Sequence, residues 1–190
     1  MKELISHIQT NLAQGKVDAD KMQTMKECLN EAVERFKDSK LVQADIAPGR
    51  YLCHQDDEHD FVVMFLSWEK GAETPIHTHS CWGLETVIRG QLKVVEYDDN
   101  PVNPQETKTI LAGVGDQIFQ LPPKKDVHKV MNTYDGRTYS IHVYGRQMCN
   151  NLMFKPGQGY VPCSLETEDL NDVFDIFKMH PVGTTTMHAG

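Results

Sequence analysis

Short β-type segments separated by turn residues dominate the middle of the chain. Seven runs of alternating or continuous apolar and β-branched residues lie between Gly, Pro, Asn and Asp, at 61–68, 84–88, 91–97, 108–112, 117–121, 128–132 and 138–144. The gaps between them are too short for the helical crossovers that parallel strands require. Many short strands at this spacing are typical of an antiparallel sandwich or barrel. The pattern therefore predicts a mainly β fold.

The first forty residues instead follow a helical period. Their apolar residues form two stripes, Leu4, Ile5, Ile8 and Leu12, then Met22, Met25, Leu29, Val33 and Phe36. These stripes predict two amphipathic helices, the second capped near Asp18 or Asp20. A weaker pattern predicts a short helix over 170–177. We expect a helical segment over 1–44 packed on a β-barrel over 45–165, followed by a C-terminal extension over 166–190.

Charge and cysteine usage limit the classes of partner and compartment. The formal net charge of −8 over 190 residues argues against nucleic acid or an anionic membrane surface as a partner. The sequence contains no apolar stretch of about 18 residues, the minimum for a membrane span. Five widely spaced cysteines fit a reducing compartment. We therefore expect a cytoplasmic protein, a monomer or small homo-oligomer, whose partners are small molecules.

Two polar patterns suggest a metal site. His77 and His79 occupy alternate positions of a strand-like stretch, so both imidazoles point to one face and can bind one metal ion. Ser140, His142 and Tyr144 alternate with aliphatic residues in the same way. If that polar face is buried, the three side chains must bond to one another, which fixes the imidazole tautomer and directs the phenol towards the metal-bound ligand.

The surroundings of the histidine pair resemble the first sequence motif of the cupin superfamily, which here runs from Gly71 to Gly90. The segment 123–132 resembles the second cupin motif. The resemblance implies a jelly-roll type β-barrel and His128 as a third ligand. The position that normally carries a glutamate ligand holds Gly83. Glu85, two residues further on, is then a candidate for reaching the metal or the cavity.

Within the cupins, the stretch from about Gly49 to Tyr144 is similar to the cysteine dioxygenase family, especially its bacterial mercaptopropionate-type members. The resemblance implies that His77, His79 and His128 bind Fe(II). Ser140, His142 and Tyr144 become the catalytic hydrogen-bond relay. The implied activity is oxidation of a small organic thiol, cysteine or a mercapto acid, by O2 to its sulfinic acid.

The chain departs from this family at the substrate. Where members place an arginine after the tyrosine, this chain has Cys53 followed by His54, and neither offers the carboxylate-binding fork of arginine. Cys53, His54, Glu85 and Arg50 are the candidate substrate-binding residues, with Glu85 able to face an amino group. Arg146 and Lys155 are further substitutes for the missing arginine. Two other functions stay open: a three-histidine cupin dioxygenase that cleaves a carbon–carbon bond, and a metal-binding sensing cupin without turnover.

Overall fold

Two helices precede the β region, as the apolar stripes predict. A computed structural model describes residues 2–13, 17–37, 39–122, 126–145, 151–163 and 170–172. Helix α1 spans Lys2–Leu12, α2 spans Ala19–Lys37, and a short α3 spans Lys40–Gln43. Asp18 caps α2, because its Oδ1 accepts a hydrogen bond from the backbone N–H of Lys21 at 3.0 Å. No helix among these residues has the length and apolar character needed to cross a membrane.

Within the described residues, twelve strands form two sheets of six. In chain order they are β1 Gly49–Asp56, β2 Phe61–Trp68, β3 His77–Thr78, β4 Gly83–Arg89, β5 Leu92–Tyr97, β6 Glu106–Ala112, β7 Gln117–Gln120, β8 His128–Asn132, β9 Thr138–Tyr144, β10 Asn151–Lys155, β11 Gly159–Cys163 and β12 Leu170–Asp172. The first sheet has the order β12-β1-β2-β9-β4-β7, and the second has β11-β10-β3-β8-β5-β6. Every neighbouring pair is antiparallel except β1 with β12. The predicted mainly β, antiparallel fold is confirmed.

All seven predicted strands are present, and three of them, β2, β8 and β9, have the predicted bounds. The strands β1, β10 and β11 lie outside the predicted segments, and β3 lies in the stretch around His77 and His79 that was described as strand-like. The helix predicted over 170–177 is wrong for its first three residues, which pair with β1 as β12. The rest of that segment lies outside the described residues. The strand β12 therefore joins the first sheet to a part of the chain that was assigned to the C-terminal extension.

The helices cover one face of the first sheet. Their apolar stripes are buried against side chains of β2, β4 and β9, among them Phe65, Leu84, Ile141 and Val143. Burying each such side chain contributes about 1.5–3 kcal/mol. The opposite face of β9 carries Ser140, His142 and Tyr144. Both faces are covered, and every residue of this strand is buried. The helical layer therefore buries the apolar face of β9, while the polar face lies towards the second sheet.

The space between the two sheets is apolar at one end. A second core cluster combines side chains of both sheets, Trp68, Val87 and Ile118 with Leu92, Val94, Ala112 and Val130. The remaining space between the sheets receives the polar faces of β4 and β9 and the histidines of β3 and β8. The fold thus directs the polar residues predicted from the sequence into one cavity.

Candidate metal centre

Three histidines meet at a strand pair in the second sheet. The two-residue strand β3 lies between β10 and β8, and His77 stands directly opposite His128 in the antiparallel pairing. His79 follows immediately after β3. The candidate ligand nitrogens of the three histidines lie within 4.8 Å of one another. The predicted cluster of His77, His79 and His128 is therefore present.

Hydrogen bonds on the outer side of each ring define the tautomers. Each Nδ1 lies beside an acceptor: the Pro75 carbonyl at 3.0 Å from His77, Asn151 Oδ1 at 3.1 Å from His79, and the Asp126 carbonyl at 2.9 Å from His128. These acceptors place the ring proton on Nδ1, which leaves the Nε2 lone pair to accept a metal ion. The Gln120 side-chain N–H approaches His128 Nε2 at 3.2 Å.

Burial favours the neutral, metal-binding form of His77 and His79. It lowers the pKa of His79 to about 3 and the pKa of His77 well below its ordinary value, and the neighbouring His128 lowers both further. Three neutral imidazoles are donors that suit divalent transition metals and leave the ion its full charge. The residues present therefore fit a metal ion.

Glu85 lies beside this cluster as a buried carboxylate. Its side chain accepts hydrogen bonds at Oε1 from Tyr144 at 3.0 Å and from Gln120 at 3.1 Å, and this oxygen lies 4.0 Å from His128 Nε2. The other oxygen, Oε2, is buried without a hydrogen-bond partner among the described residues. Burial alone raises the pKa of this carboxyl, but its interaction with the adjacent His142 outweighs burial and holds the pKa low. The cavity therefore contains a negative charge next to the three imidazoles.

The surroundings of Gly83 leave little space for the glutamate side chain that cupins normally carry at this position. A Cβ atom there would lie 2.5 Å from Gln120 Oε1 and 3.1 Å from the ring of Tyr144. The space that a carboxylate would need is therefore occupied by these two side chains. Glu85, on the same face two residues further along β4, supplies the carboxylate from a neighbouring position.

The polar face of β9 forms a continuous hydrogen-bond chain. Trp68 Nε1 donates to Ser140 Oγ at 2.8 Å, Ser140 Oγ lies 2.7 Å from His142 Nε2, and His142 Nδ1 lies 2.8 Å from the Tyr144 hydroxyl. Because Tyr144 donates to Glu85, it accepts from Nδ1–H of His142. His142 Nε2 then accepts from Ser140. Every donor in the chain has one acceptor, and the chain ends on the Glu85 carboxylate.

The order of the three β9 residues was predicted, but both ends of the chain were missed. In the structure the Tyr144 hydroxyl donates to Glu85, and its orientation towards a metal-bound ligand stays a prediction. The Tyr144 ring also packs on His79, with ring centroids 4.3 Å apart. A buried indole N–H requires an acceptor, so Trp68 at the end of β2 was the available signal for the other end.

A cavity of about 440 Å³ opens onto the cluster. Its apolar lining includes Leu66, Trp68, Val130 and Met153. Arg50 is the only Lys or Arg side chain in the described lining. Arg50 also opposes the rise in the pKa of Tyr144, so its positive charge acts on the relay. A ligand in this cavity would meet apolar walls, the guanidinium of Arg50 and the carboxylates of Glu69, Glu73 and Glu85.

Of the candidate substrate-binding residues, the structure brings Arg50 and Glu85 to the cavity, but not Cys53 and His54. Cys53 packs against the core cluster beneath the helices. Its burial raises the pKa of its thiol. The His54 ring packs on Phe61, with Nε2 3.7 Å from Asp56 Oδ2. A register shift in β1 between 52 and 54 separates these residues from the alternation that places Arg50 inside. Arg146 lies outside the described residues, and Lys155 is exposed.

The chain is similar to several solved structures. A cupin superfamily protein from Desulfitobacterium hafniense is 14% identical, with 56% of this chain and 87% of that chain covered and a TM-score of 0.42. A protein from Klebsiella pneumoniae with a double-stranded β-helix domain is 21% identical, with 59% and 88% covered and a TM-score of 0.43. An oxalate oxidase in complex with glycolate is 14% identical, with 71% and 67% covered and a TM-score of 0.42.

The antiparallel double sheet and the three-histidine cluster define a cupin with a possible metal site. A family model described as "Auxin binding protein" matches residues 44–154, which is more than half of the chain. The chain belongs to this family of cupins. The match ends within β10 and includes every residue of the cluster and of the hydrogen-bond chain.

Proposed function

We propose that the chain is an Fe(II)-dependent thiol dioxygenase that oxidises a small organic thiol to its sulfinic acid. The observation that carries this proposal is the hydrogen-bond chain of Ser140, His142 and Tyr144, which ends beside the three histidines. In the overall reaction, one thiol and one O2 give one sulfinic acid. Sulfur loses four electrons and O2 gains them, so no further reductant is required.

The three histidines, His77, His79 and His128, would hold the iron. An Fe(II) ion there would supply binding positions for a thiolate and the redox chemistry that activates O2. The imidazole ligands carry no charge and Glu85 supplies one negative charge nearby, so a divalent ion would keep a net positive charge that favours an anionic sulfur ligand. The apolar side chains around the cavity would exclude bulk water during the reaction.

Tyr144 would act as a hydrogen-bond donor to the reacting group. Burial, followed by the negative charge of Glu85, raises the pKa of its phenol well above the ordinary value, so the hydroxyl keeps its proton. His142 holds the hydroxyl from one side and Glu85 from the other. A ligand beside His79 would compete with Glu85 for this proton, and the relay would reorient without changing its total number of protons.

Arg50 and Glu85 would select the substrate. A carboxylate on the thiol would pair with the guanidinium of Arg50, whereas an amino group would pair with Glu85 and its buried Oε2. A thiol with both groups would use both partners. Cysteine and short mercapto acids are therefore the first compounds to test.

A second candidate is binding of a carboxylate ligand without turnover. The apolar cavity of about 440 Å³ with one arginine favours it, because such a lining suits a ligand larger than a small thiol. The description of the matched family as auxin binding protein points to the same chemistry, an apolar body with one carboxylate. Indole-3-acetate, an auxin, is the corresponding probe.

The test is a screen of O2 uptake and sulfinate formation by iron-loaded protein. The panel contains cysteine, 3-mercaptopropionate, cysteamine and mercaptosuccinate, with a diketone for carbon–carbon cleavage and indole-3-acetate for binding alone. We expect uptake with at least one thiol and none after His77→Ala. His7→Ala, which changes an exposed histidine of α1, is the matched control. Equal activity of metal-free protein would contradict the proposal, and tight binding of indole-3-acetate without any uptake would favour the second candidate.

A further inference from the structure

Asp126 contacts both segments that carry the candidate metal ligands. It lies two residues before His128, in the segment that enters β8. Its carboxylate accepts hydrogen bonds from the Thr78 hydroxyl and from the backbone N–H groups of His79 and Ser80, the latter two at 3.2 Å. Its backbone carbonyl accepts the Nδ1–H of His128 at 2.9 Å. One residue thus connects the backbone around His79 with the ring of His128.

The segment around His79 needs such a support. Strand β3 has two residues, and the chain leaves it through Ser80, whose φ of 54° lies in the left-handed region. A non-glycine residue in that region is strained and persists only where its surroundings hold it in place. The Thr78 hydroxyl, bonded to Asp126, also accepts the Ser80 N–H at 3.2 Å. The turn that directs His79 into the cavity is therefore held by hydrogen bonds that converge on Asp126.

We propose that Asp126 is a positioning residue that sets the relative orientation of His79 and His128 and thereby the metal affinity of the site. This inference rests on the metal site in the proposed function, but not on thiol oxidation. It requires a carboxylate. Oδ1 accepts from the His79 N–H, and Oδ2 accepts from Ser80 and Thr78. An asparagine would turn an NH2 group towards at least one of these donors.

The decisive variant is Asp126→Asn, which keeps the size of the side chain. Zn(II) and Co(II) affinities are measured by competition with a chromophoric chelator. We expect both to fall by about 10–100-fold, the usual effect of losing a residue that orients metal ligands. The visible spectrum of the Co(II)-saturated variant is expected to change, because the ligand geometry is altered. Thr78→Val removes one donor to the same carboxylate and should weaken binding less, by up to about tenfold.

Asp98→Asn is the matched control. Asp98 also accepts two backbone N–H groups, from Asn100 and Gln105, but in the loop between β5 and β6. The Asp98→Asn variant should keep the metal affinity and the Co(II) spectrum of the unchanged protein. Unfolding temperatures of the metal-free proteins separate a loss of positioning from a loss of folding.

The inference is overturned if folded Asp126→Asn and Thr78→Val bind metal as tightly as the unchanged protein with the same Co(II) spectrum. It is also overturned if affinity falls only in step with the unfolding temperature, or if the unchanged protein binds no divalent metal. If the unchanged protein binds Co(II) but its iron form oxidises no thiol, the proposed dioxygenase function fails and the role of Asp126 stands.

Discussion

The hydroxyl of Tyr144 donates a hydrogen bond to Glu85 Oε1 at 3.0 Å, as a diagonal neighbour on the adjacent strand. In the pairing of β4 with β9, Glu85 stands opposite His142 and Gly83 stands opposite Tyr144. The Tyr144 ring therefore extends towards the carboxylate past a residue that has no side chain, where an added Cβ would lie 3.1 Å from the ring. The same geometry couples the orientation of the phenol to the charge of Glu85.

Replacing Tyr144 by phenylalanine should slow thiol oxidation by about 10²-fold while the iron content stays unchanged. The phenol donates a hydrogen bond in the site but is not a metal ligand. A positioned proton or hydrogen-bond donor of this kind typically accelerates a reaction by about 10²-fold or more. The measurement is kcat for sulfinate formation alongside iron analysis. Tyr51→Phe is the control, because the Tyr51 hydroxyl donates to the Ala47 carbonyl, outside the cavity lining. Equal losses in both variants would contradict a role for Tyr144 in the reaction.

Replacing Glu85 by glutamine should shift the preference among thiols towards mercapto acids. The change removes a buried negative charge that attracts an amino group and repels a carboxylate. We expect the ratio of kcat/KM for cysteamine over 3-mercaptopropionate to fall by about tenfold, which corresponds to about 1.4 kcal/mol. Glu58→Gln, an exposed carboxylate in the turn after β1, serves as the control. An unchanged ratio would show that Glu85 does not select the substrate.

Replacing Arg50 by glutamine should shift the preference among thiols away from mercapto acids. Thiols with a carboxylate should show a higher KM, by about tenfold, since the only guanidinium of the described cavity lining is lost. Cysteamine, which has no carboxylate, should keep its KM. Lys108→Gln on the exposed edge strand β6 controls for the loss of one positive charge. If KM rises equally for all thiols, Arg50 supports the cavity wall and does not bind carboxylate.

Replacing Gly83 by alanine should destabilise the protein and displace the neighbouring side chains of the site. The Gly83→Ala Cβ would press on Gln120 and the Tyr144 ring, and overpacking of this kind costs about 1–3 kcal/mol. Urea unfolding should show this loss, and sulfinate formation should fall as Tyr144 and Gln120 move. Gly115→Ala has no atom within 4 Å of the added methyl group, although its positive φ adds backbone strain. A variant of Gly83 with normal stability and normal activity would contradict the tight contact.

The metal-free protein should lose stability as the pH falls from about 7 to about 5. The unfolded chain binds protons at His77 and His79 near their ordinary pKa of 6.5, whereas burial lowers the pKa of both in the folded protein, for His79 to about 3. The unfolded state therefore gains protons first, and the free energy of unfolding decreases with decreasing pH. Urea unfolding across this range measures the slope. His79→Gln should reduce the slope of the free energy of unfolding against pH. An equal slope in that variant would contradict the lowered pKa of His79 as its cause.

The sequence predicted the fold where local patterns carry information. Alternating apolar residues bounded by turns identified β2, β8 and β9, and the helical stripes identified α1 and α2. The strands β1, β10 and β11 were missed because their burial does not alternate cleanly. Strand β3 is too short for any periodicity, and it exists through its pairing with β8 and β10. Pairing partners far apart in sequence thus decided the elements that local patterns did not.

The site shows the same division. The three histidines and the polar face of β9 follow from strand alternation and motif spacing, so they were predicted. Cys53 and His54 were candidates because they occupy the motif position of the family's arginine, and the structure places neither in the cavity lining, since the register of β1 shifts between 52 and 54. Gln120, Asn151 and Asp126 were missed, because each acts through a contact that is distant in sequence. Gln120 meets His128 across 8 residues, Asn151 meets the His79 ring across 72, and Asp126 accepts the His79 backbone N–H across 47.

The acceptor for His79 has a practical consequence for shortening the chain. Asn151 opens β10, after all three histidines and the whole of β9, and β10 is also the outer neighbour of β3. A truncated protein that stops after β9 would keep every candidate ligand, yet His79 would lose the group that fixes its tautomer and β3 would become an unprotected edge. The minimal unit for metal binding therefore extends at least through β10, beyond the last residue of the histidine and relay motifs.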